Sequence, residues 1–300
     1  MESSQTPQYS MLERLPLEVL DIIVPELPLE DFRSLRLASR TLARAGESHL
    51  AQETFRGVPW RDDISRLNSL TAIPSCAPRI RSIKLNFARL DEYTAFHESF
   101  EHLFLLEPEI RSKRLQEDWA HYFAARPLQE TVPFTLPCAV MGAVCSKLVN
   151  LKKFCITWAE CPWDGEEVKR VFKAEESIKL DLLRAVALQK DLLKALWVSD
   201  APLEELEITP LVVGIDVVTE IFRMRMGTAL QGLKSLTMAS PTLDVNWGYI
   251  VPLLRQMSSL AELTLVNSQG EPMKYDVKKM ADDGIDISEA MIEFIVTEVD

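Results

Sequence analysis

The segment Leu203-Glu204-Glu205-Leu206-Glu207-Ile208 carries apolar residues at its first, fourth and sixth positions. Its second half alternates apolar and polar side chains, a period that is typical of a strand with one buried face. The pattern occurs four more times, as Ile80-Ile83-Leu85, Leu151-Phe154-Ile156, Leu233-Leu236-Met238 and Leu260-Leu263-Leu265. The sequence therefore predicts five strands, at residues 83–87, 154–157, 206–208, 236–238 and 263–265.

Apolar residues at helical spacing precede three of these strands. One such stripe runs through residues 178–196, a second through 218–222 and a third through 250–257. A short turn separates each stripe from the strand pattern that follows it. A chain that alternates helix, turn and strand forms parallel strands with the helices packed against them. An α/β fold is therefore predicted.

The spacing of the strand segments bears on whether they form a repeat or an ordinary sheet. Their first apolar residues lie 71, 52, 30 and 27 residues apart. The last two intervals approach the length of leucine-rich repeats, about 20 to 29 residues, and the 52-residue interval has room for two such units. We expect an irregular leucine-rich-repeat-like solenoid over residues 56–270, with an ordinary open α/β domain as the alternative. The longest interval holds a predicted helical stretch at 91–126 and a proline-interrupted segment at 127–137.

The charge of the chain argues against two classes of partner. The chain has 45 acidic and 33 basic side chains, a net charge of −12. A negative field of this kind repels both nucleic acid and anionic membranes. Residues 271–300 contain nine acidic and three basic side chains. We expect this segment to be a solvated C-terminal cap or tail; the alternative is a docking surface for a basic partner.

Three features bear on the compartment. Residues 1–10 are polar and include Glu2, so we expect a disordered tail rather than a signal peptide. The longest uncharged run, at 131–146, has 16 residues and two prolines and is too short to cross a bilayer. The five cysteines form no C-x-x-C pair, so we expect mostly buried thiols in a reducing compartment. A soluble protein of the cytoplasm, the nucleus or both is expected.

The sequence contains no motif of catalysis or cofactor binding. Gly227 and Gly232 have the spacing of a phosphate loop, but Leu233 follows them where that loop needs a lysine. His97 and His102 are five residues apart, which places them about 140° apart on a helix, so they cannot bind one metal ion from one helix face. We therefore expect no enzyme activity, no cofactor and no metal site.

The N-terminal segment 11–46 has a different pattern, with three short helical stretches separated by prolines. Pro16 and Pro28 stand at predicted helix starts, and the acidic residues that follow them favour the helix dipole. Pro25 ends the first helix, and Gly46 suits the end of the third. Helices of this length bury little apolar surface among themselves, so the unit is expected to need a neighbour.

The order of residues in this unit resembles the F-box. The segments LPLEVLDII at 15–23, LPLEDF at 27–32 and LRLASR at 35–40 match that family's pattern without insertion or deletion. The resemblance covers residues 11–55, and the leucine-rich part behind it is similar to F-box proteins that carry leucine-rich repeats. It implies a substrate receptor of an SCF-type ubiquitin ligase, in which the F-box binds a Skp-type adaptor and through it a cullin. The repeat domain then holds the protein substrate.

The resemblance also implies which residues make these contacts. The positions expected to bind the adaptor are Leu15, Pro16, Ile23, Leu27, Leu29, Phe32, Leu35 and Leu37. In a stacked array the parallel strands line the concave face, and residues pointing away from the core are the candidates for binding substrate. We expect Lys84, Cys155, Glu207, Thr237 and Thr264 to be exposed there, with Lys84, Glu207 and Thr264 as substrate-binding residues. The alternative function is a non-catalytic scaffold that acts outside a ubiquitin ligase.

Overall fold

The computed structural model describes residues 10–45, 52–58, 63–88, 138–158, 160–161, 182–209, 228–239, 250–266, 271–287 and 289 of the 300-residue chain. Several predicted features lie outside these residues. They are the tail at 1–9, the helical stretches at 91–126 and 218–222, the proline-interrupted segment at 127–137, and Gly46, His97 and His102.

Residues 10–45 form three short helices: α1 (Leu17–Ile23), α2 (Leu29–Ala38) and α3 (Arg40–Ala45). Pro16 and Pro28 directly precede α1 and α2, as predicted, because the fixed φ of proline suits a helix start. After α1 the chain continues as a 3-10 turn at Val24–Glu26, which contains Pro25. An earlier 3-10 turn lies at Leu12–Arg14.

Ser39 separates α2 from α3. Its backbone is extended, with φ −159° and ψ 162°, and its Oγ accepts a hydrogen bond from the backbone N–H of Leu42 at 3.2 Å. This N-cap satisfies one of the free donors at the start of α3. Leu20 and Leu42 are buried, and Leu35 packs against them to complete the small core of the unit.

Seven strands form one sheet, and their order in the sheet is their order in the chain. The strands are β1 (Thr54–Gly57), β2 (Ser82–Asn86), β3 (Lys153–Thr157), β4 (Glu205–Thr209), β5 (Ser235–Ala239), β6 (Glu262–Val266) and β7 (Pro272–Asp276). Strands β1 to β6 are parallel, and β7 is antiparallel to β6. The five predicted strands are confirmed as β2 to β6, and so is their parallel arrangement.

The five predicted segments lie in one common register. Two rows of buried residues cross β2 to β6: Ile83, Phe154, Leu206, Leu236 and Leu263 in the first row, and Leu85, Ile156, Ile208, Met238 and Leu265 in the second. Because side chains alternate along a strand, both rows lie on the same face of the sheet. This face forms one wall of the core.

Helices alternate with the strands and cover that face. They are α4 (Asp63–Thr71), α5 (Cys138–Lys147), α6 (Leu182–Trp197), α7 (Thr228–Gln231) and α8 (Ile250–Gln256). Their buried apolar residues, among them Leu67, Val144, Leu192 and Leu254, belong to the same core cluster as the two rows. The described part of the chain after residue 52 is thus an α/β structure with a mostly parallel sheet. None of the described helices is long and apolar enough to cross a bilayer.

Strand β1 crosses the predicted boundary at residue 55 and was not predicted as a strand. On its outer side, Arg66 of α4 donates a hydrogen bond from Nη2 to the carbonyl oxygen of Arg56 at 2.8 Å. The same guanidinium lies over the ring of Phe55 and pairs with Asp63 at 3.2 Å. An added Cβ at Gly57 would lie 2.8 Å from the Phe55 ring, so this close approach requires glycine.

Strand β7 begins inside the acidic segment that was predicted as a cap or tail. It starts at Pro272, and Met273 and Tyr275 pack against the main core. A helix, α9 (Val277–Asp282), follows directly, and the Asp276 side chain caps it by accepting a hydrogen bond from the Lys279 N–H at 2.9 Å. The first part of the acidic segment therefore extends the sheet by one antiparallel strand.

Candidate functional site

Exposed apolar side chains are concentrated on the N-terminal helices. Ten large apolar residues are exposed in the described part of the chain, and seven of them lie between residues 11 and 37. We call these seven the apolar helical face: Met11, Leu12, Leu15, Val19, Ile22, Ile23 and Leu37. Ile22 is 71% exposed and Leu37 is 88% exposed. Exposed apolar side chains in this number, on a unit with a very small core, are typical of an interaction site.

Helix α1 explains how the face arises. The side chains of Leu20 and of Val24, one turn later, are buried, whereas Val19, Ile22 and Ile23 point to solvent. The helix is therefore apolar on more than one side, and its own unit covers only one of them. A helix whose apolar side chains extend beyond the side that its own unit covers requires a second surface to bury the remainder.

Glu13 connects the first part of this face to the last. Its backbone N–H donates to Ser10 Oγ at 3.3 Å, and its Oε2 accepts from the Ser10 N–H at 2.8 Å, as in a capping box. Hydrogen bonds from Ser39 and from Ser10 hold the pKa of Glu13 below its ordinary value. The turn that carries Met11 and Leu12 is thereby tied to the end of α2, two residues after Leu37.

The residues predicted to bind the adaptor have three kinds of environment. Leu15, Pro16, Ile23 and Leu37 are exposed, and Leu27 is half-buried. Phe32 is only 8% exposed, and Leu35 packs against Leu20 and Leu42. Leu35 thus belongs to the small core of the unit and Phe32 is buried, and the contact of either residue with an adaptor stays a prediction. The side chain of Leu29 lies outside the described part of the chain.

Four members of the apolar helical face were not among the predicted adaptor-binding residues: Met11, Leu12, Val19 and Ile22. The predicted residues are positions that fit the family pattern, and they include Leu35, which packs in the unit's own core. The signal that would have found Val19 and Ile22 is the spacing of α1, where they lie three residues apart and off the Leu20 side of the helix.

The second candidate surface is the polar sheet face, formed by the residues of β2 to β6 that alternate with the two core rows. Four of its five charged residues are paired, and the fifth is Glu262. Lys84 pairs with Glu160, whose backbone oxygen also accepts a hydrogen bond from Asn86 Nδ2 at 2.8 Å. Lys153 Nζ lies 3.2 Å from Glu205 and 3.7 Å from Glu207. The described charges of this face thus largely compensate one another.

The structure corrects part of the predicted exposure on this face. Lys84, Glu207 and Thr237 are partly exposed, but Cys155 is only 2% exposed and Thr264 only 5%. Cys155 lies between Lys84 and Glu207 in the sheet register, and longer side chains on both sides cover it. Thr264 lies between Thr237 and Lys274 of β7, a strand that was not predicted.

The cysteines are thiols, as expected: Cys76, Cys145 and Cys155 are buried and Cys161 is half-buried. The side chain of Cys138 lies outside the described residues. Burial, and then the charge of Glu207, raises the pKa of Cys155 to about 12, and burial does the same to Cys145. Both thiols are therefore protonated at neutral pH and are poor nucleophiles.

We expect iodoacetamide at about pH 8 to alkylate Cys161 in the folded protein well before Cys145 and Cys155. A pKa three units above the ordinary 9.0 leaves roughly a thousandfold less thiolate, and burial slows access further. Peptide mass spectrometry after timed labelling measures this order, and labelling in urea provides the control in which all the sites react. Labelling of Cys155 as fast as Cys161 in the folded chain would contradict the packing described.

A charge cluster spans the starts of three neighbouring strands. The carboxylate of Glu204 pairs with Lys152, and with Lys234 at 2.7 Å. Glu204 directly precedes β4, Lys152 directly precedes β3, and Lys234 directly precedes β5. The hydrogen bonds from the two lysines lower the pKa of Glu204 to about 2. The cluster therefore favours the observed register of the three strands.

We expect Glu204→Gln to lower the urea midpoint slightly at neutral pH, since the pairs are partly exposed and each contributes little. Because the pKa of Glu204 is depressed from 4.5, its stabilising effect is present above pH 4.5 and is lost as the pH falls toward 2. The difference between wild type and Glu204→Gln should shrink over that range in urea titrations. Glu262→Gln, at the exposed start of β6, is the control. A difference that does not change with pH would contradict this assignment.

No group of three or more histidine, cysteine, aspartate or glutamate side chains that could hold a metal ion occurs among the described residues. Models of known protein families gave no match to the chain. A search of curated proteins also gave none.

Proposed function

We propose that this protein is the substrate-recognition subunit of a cullin-RING ubiquitin ligase of the SCF type. In this proposal the N-terminal helices are an F-box that binds a Skp-type adaptor, and the sheet region holds a protein substrate. The chain itself catalyses no reaction, and it acts in the cytoplasm, the nucleus or both.

The observation that carries the proposal is the apolar helical face. Seven large apolar side chains are exposed between residues 11 and 37, against three in the rest of the described chain. Leaving such a surface in water is unfavourable, by about 25 cal/mol for each Å² of apolar area that a partner could cover. The buried core of a protein interface is likewise more apolar than the rest of the surface. A unit with a core of a few residues and a large exposed apolar surface suits a module that is completed by an adaptor.

The position of the F-box pattern supports the same conclusion. The two Leu-Pro pairs of the pattern, at 15–16 and 27–28, stand directly before α1 and α2. The final serine of the pattern, Ser39, caps α3. The residues that carry the resemblance are thus the ones at which the helices start.

The sheet region supports a substrate-holding role. Strands β2 to β6 are parallel, follow one another in chain order and share one register, as the strands of stacked repeats would. We propose a leucine-rich-repeat-like solenoid whose polar sheet face binds the substrate. Lys84 and Glu207 are the candidate contacts, whereas Thr264 offers little surface because it is buried.

The test is affinity capture of the tagged full-length chain from cells, with mass spectrometry of the captured proteins. Recovery of a Skp-type adaptor together with a cullin would support the proposal, and proteins that accumulate on the bait when the proteasome is inhibited would be candidate substrates. Recovery of the adaptor without a cullin would favour the scaffold function. Recovery of neither, with binding of the purified adaptor also undetectable, would overturn the proposal.

A further inference from the structure

Charge is distributed unevenly along the N-terminal helices. From Ser10 to Asp31 the chain has one basic residue, Arg14, and six acidic ones: Glu13, Glu18, Asp21, Glu26, Glu30 and Asp31. From Phe32 to Ala45 it has no acidic residue and four arginines: Arg33, Arg36, Arg40 and Arg44. The charged side chains at the end of α2 and in α3 are therefore all positive, and Glu13 contributes one carboxylate at Ser39, between the two helices.

The described arginines of this stretch have no carboxylate partner within the part of the chain that the structure covers. Arg40 and Arg44 are exposed and Arg36 is half-buried. None of the three forms an ion pair with another described residue. Three arginines of the sheet region, by contrast, each have a carboxylate within 3.4 Å: Arg66, Arg81 and Arg255. Arg36, Arg40 and Arg44 thus carry positive charge that no described ion pair compensates, in the same unit as the apolar helical face.

Arg36 has the most specific geometry of the three. Its Cζ lies 5.8 Å from the centroid of the Phe32 ring, and its Nε is buried without a hydrogen-bond partner among the described residues. Contact with the ring restrains the guanidinium, whose planar set of donors matches the two oxygens of a carboxylate. The next residue, Leu37, is the most exposed member of the apolar helical face. A carboxylate that met Arg36 would therefore stand one residue along α2 from a member of that face.

We infer that the surface covering the apolar helical face carries carboxylates opposite α2 and α3, and that Arg36 binds one of them. The inference rests on the proposed function and adds the chemistry of the partner: an apolar groove with an acidic border on one side. The acidic residues of the unit all precede Phe32 in the sequence, and this uneven distribution of charge would favour one orientation of the two proteins.

The test compares full-length variants for binding to the purified Skp-type adaptor by biolayer interferometry. Arg36→Met removes the charge and keeps much of the side-chain length, and we expect it to weaken binding roughly 10- to 100-fold, as for loss of a charge-assisted hydrogen bond. Arg36→Lys keeps the charge but loses the planar donors, and should fall between Arg36→Met and wild type. Arg79→Met, at an exposed arginine of the sheet region, is the matched control and should bind like wild type.

Salt provides a second readout. At about 1 M NaCl the Debye length is about 3 Å, so the wild-type affinity should fall and the difference from Arg36→Met should narrow. If Arg36→Met unfolds because it loses the Phe32 contact, a double variant of two exposed arginines, Arg40→Glu with Arg44→Glu, is tested instead. We expect this double variant to bind the adaptor at least about tenfold more weakly than wild type. If the folded Arg36→Met variant binds the adaptor with wild-type affinity, the inference is overturned and the proposed function stays intact. The same holds if the double variant is the one tested and it binds with wild-type affinity. A wild-type chain that does not bind the adaptor overturns both.

Discussion

Replacing Ile22 and Leu37 together with aspartate should abolish capture of the Skp-type adaptor while the chain stays folded. Both side chains are largely exposed, so the carboxylates remain in water in the free protein and cost little stability. In the complex the same carboxylates would be buried in an apolar interface, where an unpaired charge costs several kcal/mol. Two such changes are expected to weaken binding by more than about a thousandfold. Pull-down with purified adaptor measures the loss, and urea unfolding confirms the fold.

The chain offers a matched control for this experiment. Val149 and Val198 are also exposed apolar residues, but they lie in the sheet region. Val149→Asp with Val198→Asp makes the same chemical change outside the apolar helical face and should leave adaptor binding unchanged. Equal binding by the Ile22 and Leu37 variant and by wild type would show that the helices do not dock through this surface.

Replacing Phe154 with alanine should destabilise the sheet region by about 3 to 5 kcal/mol. The Phe154 side chain is fully buried in β3, between Ile83 and Leu206 in the first core row. Removing its ring leaves a cavity that strand neighbours on both sides hold open. Since domains of this kind are stable by only about 5 to 15 kcal/mol, this loss is a large fraction of the total.

Tryptophan fluorescence in a urea titration measures this effect directly. Trp158 and Trp197 are both buried, and Trp158 stacks on Phe87 with a centroid distance of 4.8 Å, so their emission reports unfolding of the sheet region. Val149→Ala, which truncates an exposed side chain, is the control and should change stability by less than about 0.5 kcal/mol. A loss below about 1 kcal/mol for Phe154→Ala would mean that the core row is not packed as described.

The sequence was sufficient to predict β2 to β6, because each has a buried apolar pair at alternate positions after an aliphatic residue. It was not sufficient for the two outer strands. In β1 only Phe55 and Gly57 face the core, and glycine gives no hydrophobic signal. In β7 no residue is fully buried, since an edge strand has a neighbour on one side only. Outer strands are defined by their partner, and the partner is distant in sequence.

The candidate site shows the same limit in another form. Periodicity and the family pattern identified apolar positions of the N-terminal helices. They did not distinguish the side chains that are buried between the helices from those that are exposed to solvent. Phe32 and Leu20 are buried, whereas Ile22 and Leu37 are exposed, although all four are large and apolar. That division depends on how α1, α2 and α3 pack, which in turn depends on the extended backbone of Ser39.

The Arg66 side chain at β1 has a consequence for the behaviour of the protein in concentrated solution. A sheet with an open edge can recruit a strand from another molecule, because the backbone carbonyl and N–H groups of that edge are free to pair. Here the guanidinium of Arg66 donates a hydrogen bond to the carbonyl oxygen of Arg56. At the opposite edge of the sheet, β7 begins with Pro272, which has no N–H to donate. Each border thus withholds part of the hydrogen-bonding pattern that a foreign strand requires. The two outer strands are thus less open to a foreign strand than a fully unpaired edge would be.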